Sequence, residues 1–181
     1  MTIQIEEIVQ GLYLLNPEVT IQPSEQVDIG VHLFFNEFRE GVKIEPYTSN
    51  VVEHLRNSRY PIITAVPKGD WDSNIDKLLS IEMEGNQPLI LYKSNNWGPF
   101  PIELGVPFSW FEPTESFVPL ADFIREQFNP ERLVIYGSYL LDIHDSPERC
   151  VGCTYKYFKE HYFRKEFGGR IVVEIDRDLV L

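Results

Sequence analysis

Apolar residues along this chain gather in short, nearly continuous runs, separated by stretches where they recur every three or four positions. The runs are GVHLFF (Gly30 to Phe35), PIITAV (Pro61 to Val66), PLILYK (Pro88 to Lys93), RLVIYG (Arg132 to Gly137) and RIVVEI (Arg170 to Ile175). A strand with one wet face alternates apolar and polar residues. A run apolar at nearly every position suits a strand covered on both faces, as in a parallel sheet.

Between the runs the period changes to that of a helix. SNVVEHLRNSRY puts Val51, Val52 and Leu55 on one face, with Thr48 or Ser49 as the N-cap, and DSNIDKLLSIE groups Ile75, Leu78 and Leu79 behind Asp72 or Ser73. SFVPLADFIREQF groups Phe117, Leu120, Phe123, Ile124 and Phe128, and its Pro119 is tolerable only in a first turn. RCVGCTYKYFKEHYF spaces Val151, Tyr155, Phe158 and Tyr162 helically, and Gly168 and Gly169 end that pattern. Strand and helix thus alternate five strands deep. This predicts an α/β fold: a three-layer α/β/α sandwich with a mostly parallel sheet of five or six strands, one domain over residues 1–181. Two irregular stretches, Ser94 to Glu115 and Gly137 to Glu148, follow strands, where such folds place ligands.

Composition narrows the partners. With 43% apolar and 13% aromatic residues in 181, a packed core is expected. Sixteen basic residues against 28 acidic ones leave a formal charge of −12, which repels phosphate backbones and anionic lipid. Nucleic acid and membranes are therefore not expected partners, and the plain reading of the charge is solubility. No apolar run is long enough to span a bilayer, and Glu6 and Glu7 replace the basic start of a signal peptide. Two cysteines are too few for a disulfide scaffold, so a cytoplasmic protein is expected.

Those cysteines, Cys150 and Cys153, are the first candidates for chemistry. Cys150 falls near a helix N-terminus, where unsatisfied N–H groups favour a thiolate and stabilise a neighbouring oxyanion. Cys153, a turn later, should face the packing between helix and sheet. The structural alternative is two small buried residues. A zinc site lacks a second pair of cysteines; His144 and His161 lie within reach in sequence, but His161, two helical turns beyond Cys153, would not share its coordination sphere unless the chain bends. A dithiol redox pair is a further alternative, although the CxxC lies far from the first strand. Lys93 ends a strand on the same sheet edge, where its ammonium would lower a thiol pKa or hold a developing anion. A strand-end lysine reaching solvent is the ordinary alternative.

From Gly30 to Ile175 the chain resembles the isochorismatase-like, or cysteine hydrolase, family. GVHLFFNEFREG is similar to that family's first strand and its Asn-Asp-Phe and glycine. NVVEHLRNSRYPIITAV resembles the following helix and strand. PLILYKSNNWGPF resembles the lysine strand, and RLVIYG with CVGCTYKYF resembles the strand and the Cys-Val helix of the nucleophile. The resemblance implies a Cys–Asp–Lys triad, with Cys150 as nucleophile and Lys93 supporting charge. At the aspartate's place stands Leu33 or Asn36, depending on whether the Asn-Glu-Phe or the strand end is aligned. Gly137 and Cys150 are also farther apart than the family's short turn, and AVPKGDWDSN lacks metal-binding histidines. No cofactor and no metal is expected.

Trp97, Phe100 and Trp71 are candidates for lining a ligand pocket, with Trp110 in the same loop; packing that loop onto the sheet would use the same residues. Glu37, Asp142, His144 or Asp145 would replace the aspartate only if the fold carried one to Cys150. His32 and His54 read as structural or solvent-facing. The leading expectation is a cysteine hydrolase for a small amide, ester or vinyl-ether substrate, with degraded activity. Its rival is an inactive binding or assembly module of the same fold. A homodimer is the family's implication alone.

Overall fold

The computed structural model describes residues 5–9, 11–34, 45–95, 98–101, 118–138, 150–163 and 170–181. Its strands are β1 (Glu6–Val9), β2 (Leu12–Leu14), β3 (Gln26–Val31), β4 (Ile62–Pro67), β5 (Leu89–Asn95), β6 (Gly98–Pro101), β7 (Arg132–Gly137) and β8 (Val172–Val180). Its helices are α1 (Tyr47–Asn57), α2 (Trp71–Leu79), α3 (Val118–Phe128) and α4 (Cys150–Phe163), with one 3-10 turn at Lys68–Asp70.

All the strands join one mixed sheet in the order β1-β2-β5-β4-β3-β7-β8, and β6 folds back on β5. The pairs β5–β4, β4–β3, β3–β7 and β7–β8 are parallel; β1–β2, β2–β5 and β5–β6 are antiparallel. The expected count of five or six strands is therefore too low. The short β1–β2 ribbon and β6 carry too few apolar residues to register as runs.

Two apolar clusters form on this sheet. Val27, Ile29, Val31, Ile90, Tyr92, Leu133 and Ile135 gather with α3 and with Cys150, Val151, Tyr157 and Phe158 of α4. Leu89, Leu91, Ile62, Val66 and Tyr136 gather with Tyr47, Val51 and Leu55 of α1 and Ile75 and Leu78 of α2. Neighbouring strand residues fall into opposite clusters because side chains alternate across a strand. Val51 and Leu55 are fully buried, and each contributes about 1.5–3 kcal/mol by leaving water.

Local expectations are corrected in three places. Thr48 and Ser49 lie inside α1, whose N-cap is Pro46 with no side-chain cap; Ser49 Oγ donates instead to Glu45 Oε2 at 2.6 Å. The N-cap of α2 is Asp70, one step before Trp71, so Asp72 sits in the first turn. The first parallel strand is Gln26–Val31, four residues earlier than GVHLFF, and His32 ends it with φ of 51°. Pro119 does fall in the first described turn of α3.

Candidate functional site

In parallel strands the ends that precede helices lie on one edge, and here β3 and β7 are neighbours whose chains leave toward different helices. Such a switch point is where open α/β sheets form ligand crevices. On this edge His32 follows β3, Ser138 follows β7, Lys93 and Ser94 lie in the last three residues of β5, and Cys150 opens α4.

The β3–β7 gap is closed by polar groups. Ser138 N donates to Val31 O at 2.9 Å, and Ser138 Oγ donates to His32 O at 2.8 Å. Tyr47 OH donates to Leu33 O at 2.9 Å and lies 3.3 Å from Ser138 Oγ. His32 N donates to Ala65 O, and His32 Nε2 shares a hydrogen bond of 2.8 Å with Ser94 Oγ. These contacts hold a non-glycine residue in the left-handed region, which costs about 1 kcal/mol or more. His32 has no exposed surface, and burial pulls its pKa from 6.5 to about 3. The imidazole is neutral.

Cys150 is a free cysteine, 6% exposed, packed in the cluster that contains Tyr92. Burial and the nearby Cys150 both raise the pKa of Tyr92 above its usual value. Thr154 Oγ1 donates to Cys150 O at 2.7 Å, which occupies the first-turn carbonyl from within the helix. The buried face of α4 runs Cys150, Val151, Thr154, Tyr157 and Phe158; Tyr155 is half-buried. The side chain of Cys153 lies outside the described residues.

Lys93 points the other way. It follows Tyr92 on β5, and its Nζ stands 5.4 Å from the Tyr13 ring centroid and 5.0 Å from that of Trp71. Tyr13 and Trp71 meet edge to face at 5.5 Å and pack against the cluster of α1 and α2. Each such cation–π contact is worth about 0.5–1 kcal/mol. The structure thus brings together Lys93 and Trp71, two of the expected site residues. It sets Cys150 on the opposite face of the sheet from both.

Of the remaining candidates, Leu33 is buried under α1 at 2% exposure and is no base. Asn36, Trp97 and Trp110 lie outside the described residues, as do Glu37, Asp142, His144 and Asp145. Phe100 lies in β6, with its side chain outside that description. Among the described residues, the one buried carboxylate is Asp28. It accepts from Gln26 Nε2 at 2.7 Å, His54 Nε2 at 2.9 Å and Ser58 Oγ at 3.2 Å, far down β3 from the cysteine edge. Asp28, Ser94 and Ser138 are the polar groups that sequence reasoning passed over; His32, read as structural or solvent-facing, is buried. The signal available was Asp28, a charge inside an apolar run. No group of three or more metal-ligating side chains forms among the described residues, and none of their helices is long and apolar enough to cross a membrane.

Compared with known proteins, the chain matches no family model, no curated protein and no solved structure.

Proposed function

We propose that this chain is a binding module on an isochorismatase-like fold, a three-layer α/β/α arrangement, that does not carry out cysteine hydrolysis. The observation behind this reading is the separation of Lys93 from Cys150. Lys93 is taken up by two aromatic rings on one face of the sheet, and Cys150 is packed among apolar residues on the other. A hydrolase needs a base poised near the working pH and charge support beside its nucleophile. His32, the titratable group at the end of β3, is held near 3 and is a poor proton acceptor. General-base help is commonly worth about 10² to 10⁴ in rate. Losing it together with the lysine leaves a buried thiol with little drive to attack a carbonyl.

The ligand proposed for such a module is a small molecule. No cofactor is required by this reading. The test is alkylation of Cys150 by iodoacetamide at neutral pH, followed by intact mass. The expected rate is below that of a small unhindered thiol and is the same in Lys93→Ala. Fast alkylation that slows in Lys93→Ala would instead establish the hydrolase-like coupling of ammonium and sulfur. The CxxC of Cys150 and Cys153 predicts, for a redox protein, loss of labelling at both sites after mild oxidation.

A further inference from the structure

At the opposite, amino-terminal edge of the parallel strands, a second group of polar residues surrounds an open groove of about 300 Å³. Its wall is the last turn of α1 and the segment that follows, with Glu53, His54, Asn57, Arg59 and Tyr60 among its lining residues. His54 lies with Nε2 on the fully buried Asp28 and keeps its side chain 24% exposed. A carboxylate accepts and never donates, so Nε2 carries the proton. In the neutral imidazole Nδ1 is then an acceptor, and it makes no protein hydrogen bond among the described residues. It is also absent from the buried, unpartnered atoms, which leaves it open to the groove.

The charges on either side are equally telling. Glu53 and Arg59 are both exposed, and neither forms an ion pair among the described residues. One carboxylate and one guanidinium reject a ligand of net charge and favour one that carries both signs. Arg59 stands two residues beyond the end of α1 at Asn57, after an extended Ser58, so the two charges sit on different segments of the groove wall, with His54 beside them. We propose that this groove binds a short zwitterion of the dipeptide class, which carries an ammonium, an internal N–H and a carboxylate. Its ammonium meets Glu53, its carboxylate meets Arg59, and an N–H between them donates to His54 Nδ1. Asp28 fixes the tautomer and orientation of that imidazole, as a carboxylate behind a histidine does in metal and catalytic sites.

The experiment is a titration of the ¹⁵N-labelled protein with glycylglycine, read on the imidazole nitrogens of His54. Parallel titrations use N-acetylglycine, which lacks the ammonium, and glycinamide, which lacks the carboxylate. The expected result is a shift at His54 Nδ1 that saturates with glycylglycine. Affinity should fall about five-fold for each analogue and about five-fold in Glu53→Ala and in Arg59→Ala, the worth of one exposed ion pair. Both substituted residues are exposed, so the variants fold. No shift at millimolar glycylglycine overturns the proposal. So do equal shifts with all three compounds, or affinities that neither substitution changes. Cys150→Ala should bind glycylglycine as the parent does, which keeps this outcome separate from that of the cysteine test.

Discussion

A histidine with no exposed surface takes the protonation state that its neighbours can solvate, and His32 Nε2 meets the hydroxyl of Ser94. Burial lowers its pKa from 6.5 to about 3. Above pH 6.5 both the folded and unfolded forms are neutral, and the residue adds no pH dependence. As pH falls below 6.5 toward 3, the unfolded chain binds a proton that the folded one refuses. Stability is therefore lost by about 1.4 kcal/mol per pH unit across that window from this residue alone. Urea midpoints of the parent and of His32→Asn, measured through the same range, isolate it. Asparagine tolerates the left-handed backbone and keeps a donor for Ser94. The parent should lose stability more steeply than the variant by about that slope, and parallel profiles would refute the buried neutral imidazole. A structural His32 was legible beforehand, but the end of the strand there was not, because HLFF looks like the middle of a buried strand. The positive φ that ends β3 there is set by Ser138 and Ala65, which are remote in sequence.

The elements that sequence revealed are those whose apolar runs nothing interrupts. β4, β5 and β7 were legible to within one or two residues, because Ile62, Ile90 and Ile135 and their neighbours are buried on both faces. β3 was displaced because Asp28 and Gly30 break its run. The fold tolerates Asp28 there only through donors from Gln26, α1 and the residue after it. β8 was cut short at Ile175 by the charges that follow. It takes five steps, Ile175 to Val180, where β7 takes two, Ile135 to Gly137, so that stretch bulges out of register and wets its charged residues. The join of β3 to β7 depends on a glycine at its end. Gly137 has φ of 129°, and a Cβ there would collide with Val31 O, a backbone atom that cannot turn aside. At Gly30 the nearest atoms are side-chain ones, Thr64 Oγ1 at 2.9 Å and a Leu33 methyl at 3.0 Å. Gly137→Ala should therefore cost at least about 2 kcal/mol, with strain and lost pairing both contributing. Gly30→Ala should cost less in the same chemical denaturation series, and the reverse order would show that the β3–β7 edge has slack.

For the molecule as a whole, the sheet acts as a partition between two cores. Residues adjacent in sequence, Tyr92 and Lys93, report to opposite sides of it, one toward Cys150 and one toward Trp71. Sequence spacing placed sulfur and ammonium on the same edge, which the strand order bears out. It could not assign faces, because the face of Lys93 follows from the register of β5 against β4 and β2. Groups separated by a packed sheet should be energetically independent. Double-mutant data add to within about 0.3–0.5 kcal/mol for sites without shared partners, whereas contacting groups couple by about 0.5–3 kcal/mol. The stability costs of Cys150→Ala and Lys93→Ala should thus sum to that of the double variant. Lys93→Ala alone should lose about 1 kcal/mol or a little more, the worth of its two aromatic contacts. The same cycle on Lys93 and Trp71 should couple, since those side chains touch. If the lysine instead coupled to the cysteine and not to the tryptophan, the two groups would share one site. The reading of this fold as a binding module would then give way to catalysis.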